Sequence, residues 1–79
     1  MDKNTVLEKL KEIFKLVNPD FDVNNVSLSS RLKEDLNITS LSMIYIVVAL
    51  ENEFDIDMSD VSFNSFETVD DVVEYILEN

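Results

Sequence analysis

Cysteine, histidine, tryptophan and glycine are all missing from this 79-residue sequence, and Pro19 is its only proline. Without cysteine no disulfide can brace the fold, and without cysteine or histidine the usual ligands of a zinc site are gone. The same two absences remove the commonest nucleophile and the commonest general base. No Ser, Lys or carboxylate stands in a recognisable catalytic motif, so the chain reads as a non-enzyme. A chain with no glycine and one proline is poorly suited to tight hairpins, glycine-rich phosphate loops or an all-β fold. Cations are scarce too: six against seventeen acids, a net charge of −11. All six (Lys3, Lys9, Lys11, Lys15, Arg31, Lys33) precede residue 34, whereas twelve acids stand unopposed from Glu34 onward. Such a field repels phosphate backbones and anionic lipid, which disfavours nucleic-acid and membrane binding and suits a basic protein partner. The competing explanation is that the acids simply keep a small domain soluble. Met1 to Asn4 is polar and the apolar residues after it are helically spaced, so no cleavable signal is read and a cytoplasmic location is expected.

What remains is a helical pattern on a chain long enough for one domain, residues 1–79, that hides only about 60% of its unfolded surface. Val6, Leu10, Ile13, Phe14 and Val17 share one face, predicting a first helix near residues 4–17. Thr5 and Glu8 have the spacing of a capping box, and Asn18-Pro19 ends the segment because a residue before proline leaves the helical region. From Asn18 to Thr39 no period is clear. Phe21, Val23, Val26, Leu28, Leu32, Leu36 and Ile38 recur often enough to tether this stretch across the core, with a short helical turn near Ser30 to Glu34.

Met43 to Leu50 is apolar without a break. Its β-branched residues have strand propensity, but no second strand-like run exists to pair with it, so Ser40 to Phe54 is read as helix. Met43, Ile46, Val47, Leu50 and Phe54 form one stripe, and Leu41, Ile44, Tyr45 and Val48 another on roughly the opposite side. A domain this small can cover only one of them. After an acidic turn, Asp55 to Asp60, there is room for about one and a half turns of helix containing Phe63 and Phe66. Thr68 and Asp71 then form a second capping pair, opening a last helix with Val69, Val72, Val73 and Ile76 on one face. Three principal helices and one short one result.

Two polar constellations invite chemistry. Asp55, Asp57 and Ser59 match the first ligand positions of an EF-hand loop, but Asp60 stands where that loop needs glycine and Phe66 where it needs a bidentate glutamate, so no metal site is read. Ser40 sits where the polar loop meets the apolar helix, a position that a helix N-cap would equally explain, and Thr39 beside it can serve as that cap.

The surroundings of Ser40 decide between these readings. The run Glu34-Asp35-Leu36-Asn37-Ile38-Thr39-Ser40-Leu41, followed by Val48-Ala49-Leu50-Glu51-Asn52-Glu53-Phe54-Asp55-Ile56, resembles the acyl carrier protein family, whose pattern reads Glu-Asp-Leu-Gly-x-Asp-Ser-Leu and then Leu-Glu-x-Glu-Phe. The likeness continues without a gap through Thr68-Val69 and Glu74-Tyr75-Ile76. It implies an all-α, right-handed four-helix bundle. It also implies that Ser40, flanked by Thr39 and Leu41, is esterified by 4′-phosphopantetheine from coenzyme A. A phosphodiester at the start of a helix meets unpaired N–H groups and the positive end of the dipole, which favours that anion there.

The partners implied are a phosphopantetheinyl transferase together with synthase and acyl-transferring enzymes of fatty acid, polyketide or other specialised acyl synthesis, served by a monomeric carrier. Thr39 stands in place of the family's aspartate, and Asn37 in place of its glycine, a residue still able to take a left-handed conformation. Family members commonly carry acids along the second helix for docking on basic surfaces, whereas Ser42, Tyr45 and Asn52 occupy the matching positions here. Leu41, Ile44, Tyr45, Val48 and Glu51 are accordingly expected to dock partners. The alternative packs Ile44 and Tyr45 beneath the Asn18 to Thr39 loop. Two rival functions stay open: a carrier-like interaction module without the prosthetic group, and a stand-alone peptidyl or aminoacyl carrier.

Overall fold

The computed structural model describes residues 1–78, excluding the side chain of Phe63. Three α-helices run over Lys3–Val17 (α1), Ser40–Phe54 (α2) and Val69–Glu78 (α3). Two single 3-10 turns, Val23–Asn25 and Phe63–Ser65, lie in the connections. The second is the short fourth helix of the bundle. It is one turn long, with buried Phe66 as its C-cap, and the expected place of the Phe63 side chain lies outside the described residues. Among the described residues no helix is long and apolar enough to cross a membrane.

α1 forms because its apolar residues fall at helical spacing, and Val6, Leu10, Ile13 and Phe14 are all buried. Its N-cap corrects the expected Thr5–Glu8 box. Asp2 caps the helix, accepting the Thr5 N–H at 2.8 Å, so both Thr5 and Glu8 lie inside it. Asn18, extended before Pro19, ends it as expected. α1 lies against both other helices. Lys3 fastens its start to α3, reaching Asp70 and Glu74 at 3.0 Å each, and Lys9 approaches Glu53 of α2 at 3.9 Å.

The core is one cluster. Leu10 of α1, Leu50 of α2 and Val73 of α3 meet in it together with Val26, Leu32 and Ile38 from the first connection and Met58 and Phe66 from the second. The 18–39 segment is pinned by Phe21, Val26, Leu28, Leu32, Leu36 and Ile38 as expected, with the Phe21 ring 5.4 Å from that of Phe14, whereas Val23, expected among them, stays outside the core cluster. The helical turn expected near Ser30 to Glu34 is replaced by an isolated antiparallel bridge between Arg31 and Thr68 and a run of turns. The cause is a competition for backbone groups: the Ser30 carbonyl accepts the Val69 N–H at 3.0 Å, and the Leu32 N–H donates to the Glu67 carbonyl at 2.9 Å. A helix there needs the Ser30 carbonyl for the Glu34 N–H, and one helical bond remains, from the Asp35 N–H to the Arg31 carbonyl at 3.0 Å.

Candidate functional site

Everything that converges on Ser40 is set by the way α2 begins. The chain arrives through Asn37, whose φ of 55° is left-handed, so asparagine fills the position that the resembling family gives to glycine. The Ile38 N–H then bonds the Leu32 carbonyl at 2.9 Å, which fixes the approach to the helix. Thr39 is the N-cap: its hydroxyl accepts the Ser42 N–H at 3.1 Å and stands 3.2 Å from the Ser42 hydroxyl. The capping duty that Ser40 might have absorbed therefore falls to its neighbour.

Ser40 is the first residue of α2 and is exposed. Its hydroxyl makes no hydrogen bond to other described residues and is open to solvent. The first turn of α2 holds no acid, so none of its own side chains neutralises the positive end of the helix dipole. An exposed hydroxyl on an uncompensated helix N-terminus fits esterification by a phosphate-bearing group. Beneath this end of α2, Asn37, Ser42 and Ile46 help line a cavity of about 30 Å³, on the scale of a water or two and too small for a prosthetic group.

The second feature of α2 is its outer face. Met43, Ile46 and Leu50 are buried, and Val47 and Phe54 half-buried, while Leu41 (62% exposed), Tyr45 (58%), Val48 (51%) and Ile44 (42%) face outward. The loop does not cover Ile44 and Tyr45. Glu51, grouped with these residues by its position in the sequence, is engaged inside the chain. Its carboxylate accepts the Met58 N–H at 2.8 Å, anchoring the acidic turn that follows α2. The sequence offered no clue to that bond, since its partner lies seven residues on in a segment without periodicity.

That turn starts at Asp55, also left-handed (φ 53°), which ends α2 in a conformation usually left to glycine. Asp57 accepts the Ser59 N–H at 2.9 Å, and this backbone hydrogen bond holds its carboxyl below the ordinary aspartate value. Among the described residues no three carboxylates gather as a cation cage.

Comparisons with known proteins agree with this geometry. A family model described as the phosphopantetheine attachment site matches residues 4–76. The acyl carrier protein of Phytoplasma australiense is 39% identical over 75 residues, covering 94% of this chain and 96% of its own. That of Clostridium perfringens is 39% identical over 77 residues with the same coverage, and that of Helicobacter hepaticus 45% identical over 58 residues, 73% of this chain and 76% of its own. Among solved structures, an acyl carrier protein of Enterococcus faecalis, described for its high thermal stability, superposes with a TM-score of 0.75 at 35% identity, covering 100% of this chain and 99% of that one. The apo doublet acyl carrier protein from prodigiosin biosynthesis gives a TM-score of 0.79 at 24% identity, a likeness of fold, and this chain spans 36% of its length.

Proposed function

The chain belongs to the phosphopantetheine attachment family, with acyl carrier proteins among its relatives, and on that premise we propose that Ser40 is the residue that bears the arm. The cofactor is 4′-phosphopantetheine, donated by coenzyme A, and its terminal thiol holds acyl groups as thioesters. Proteins of this kind carry intermediates and leave the catalysis to the enzymes that visit them.

The observation that carries the proposal is the division of labour between two adjacent hydroxyls. Thr39 closes the helix, so Ser40 is spared and stands exposed at an end of α2 whose first turn holds no acid. The open N–H groups of that first turn offer partial positive charge where a phosphodiester needs it. Burial of Met43, Ile46 and Leu50 locks α2 and with it the position of Ser40. In this reading residues 1–79 act as a single carrier domain in the cytoplasm. Its partners are a phosphopantetheinyl transferase, then the synthases and acyl-transferring enzymes of fatty acid, polyketide or related synthesis.

The test is mass spectrometry after incubation with coenzyme A and a broad-range phosphopantetheinyl transferase. The wild type should gain one phosphopantetheinyl group, located on Ser40 by fragmentation, and Ser40→Ala should gain none while its stability stays within about 0.5 kcal/mol of wild type. Modification of Ser40→Ala at the wild-type level refutes the assignment. A wild type that stays unmodified favours the interaction-module alternative.

A further inference from the structure

We infer that the end of the molecule remote from Ser40 carries a binding groove of its own, fitted to a lysine- or arginine-bearing segment of a partner protein that anchors itself with one apolar side chain. The groove, of about 240 Å³, is lined by Met1, Phe54, Ile56, Ile76 and Leu77, where the end of α2 meets the last turn of α3. Phe54 and Ile56 are half-buried against the core and Leu77 is exposed, so the apolar interior continues here as an open floor. Ser40 and Phe54 are the two ends of α2, about 21 Å apart at 1.5 Å per residue, in a molecule whose longest dimension is 28 Å. An occupant of the groove therefore leaves Ser40 clear, and the inference does not depend on what Ser40 carries.

Charge decides what fits. The exposed acids Asp2, Asp55, Asp57 and Glu78 adjoin the lining residues in sequence, and among the described residues no lysine or arginine pairs with any of the four. The cations at hand are already taken: Lys3 by Asp70 and Glu74, and Lys9 by Glu53. The helix ends deepen the negative field. Neither the last turn of α2 nor that of α3 holds a basic residue, so their own side chains leave the negative ends of both dipoles uncompensated. The carbonyls of Asn52, Glu53 and Phe54 accept no hydrogen bond from other described residues, as the last carbonyls of a helix do unless a donor is supplied. Lysine or arginine side chains supply such donors and meet the acids as well. A fatty acid or an anionic lipid is repelled by the same rim, and a second copy of the chain brings the same acids against it. The volume lies below the roughly 300–1,000 Å³ of small-molecule sites and suits a single large apolar side chain.

The experiment titrates the isotope-labelled full chain with the peptide acetyl-Lys-Lys-Phe-Lys-Lys-amide and follows the backbone amides by NMR. Shifts should centre on Phe54, Ile56, Ile76 and Leu77, with a Kd of about 0.1–1 mM. Replacing the peptide's phenylalanine by alanine should weaken binding about tenfold, the loss of the anchor. On the protein side, Leu77→Ala and Asp55→Asn should each weaken it about threefold, and the Asp55→Asn loss should vanish at about 300 mM NaCl, where the charge is screened. Both residues are exposed, and asparagine tolerates the left-handed conformation of Asp55, so both variants should melt as wild type does. An alanine peptide that binds equally well, shifts spread evenly over the acidic surface, or no shift at about 5 mM peptide overturns the inference. Shifts in the same amides that grow with protein concentration alone assign the groove to a second copy and overturn it too. None of these readings involves phosphopantetheine transfer, so failure of the groove and failure of the Ser40 assignment are told apart.

Discussion

The starts of α2 and α3 are built on one plan and finished differently. Each has a threonine at the cap position whose hydroxyl accepts the N–H three residues on, Ser42 for Thr39 at 3.1 Å and Asp71 for Thr68 at 3.2 Å. In α3 the third residue answers with a carboxylate: Asp71 accepts the N–H groups of both Glu67 and Thr68, at 2.9 and 3.0 Å. Asp70 adds a second acid to that turn, and the residue after the threonine, Val69, is completely buried. In α2 the third residue is a neutral serine, acids are absent from the turn, and the residue after the threonine is the exposed Ser40. One terminus is sealed by its own side chains. The other is left chemically open at the position proposed for the phosphate; on that proposal one local motif serves stability at one place and function at another.

Exchanging the two residues after the threonines gives the largest effect. Val69→Ser should cost about 2 kcal/mol, from lost apolar burial and a hydroxyl placed in the core. Ser40→Val, at an exposed position, should stay within about 0.5 kcal/mol by denaturant titration. Equal losses at the two positions would mean that Ser40 is packed like Val69.

A smaller effect concerns the seal itself. The backbone N–H groups of Thr68 and Glu67 hold the Asp71 carboxyl below the ordinary aspartate value. A folded-state pKa lower than the unfolded one stabilises the fold fully above about pH 4 and loses that contribution as pH falls through the depressed value. Asp71→Asn should therefore cost about 0.5–1 kcal/mol at neutral pH, a modest figure because the group is exposed. The gap between variant and wild type should close on acidification below about pH 4. A gap that does not vary with pH would assign the effect to side-chain shape instead of charge.

The smallest effect converts one terminus into the other. Ser42→Asp gives α2 the acid that α3 has, and should stabilise the helix by about 0.5 kcal/mol. The same charge neutralises the end that the arm's phosphate would meet on the Ser40 proposal, so transfer should slow by about twofold, the rate equivalent of that energy. Faster transfer would show that the open dipole does not assist modification.

The parts of this arrangement that the sequence made legible are those decided locally. The uninterrupted Met43–Leu50 run, the Thr68–Asp71 spacing and the likeness of Asn37 to a glycine position each depend on residues close together in the chain. The structure finds helix, reciprocal cap and left-handed backbone at those places. What escaped depends on partners distant in sequence or on a choice between equivalent neighbours. Asp2 and Thr5 are both credible caps, and only the backbone path shows that Asp2 accepts the Thr5 N–H. The turn at Val23–Asn25 had a faint local sign, Asp22 two residues before Asn24, and the same side-chain-to-backbone bond recurs from Ser62 to Asn64. The internal use of Glu51 and the diversion of the Ser30 carbonyl to Val69 had no local sign, because their partners come from other parts of the chain.

The small clasp between the first connection and α3 has a consequence for motion. Leu32 bonds Glu67, Val69 bonds Ser30 and Asp70 bonds Leu28, while Ile38 bonds back to Leu32 one step before the α2 cap. These amides form a chain of mutual dependence, so the segment leading to Ser40 and the first turn of α3 should open together, with similar hydrogen-exchange protection at Leu32, Ile38 and Val69. Any pull on the residue proposed to carry the arm that loosens its approach loop should be felt at α3, so that the energy that keeps α3 docked also holds Ser40 steady.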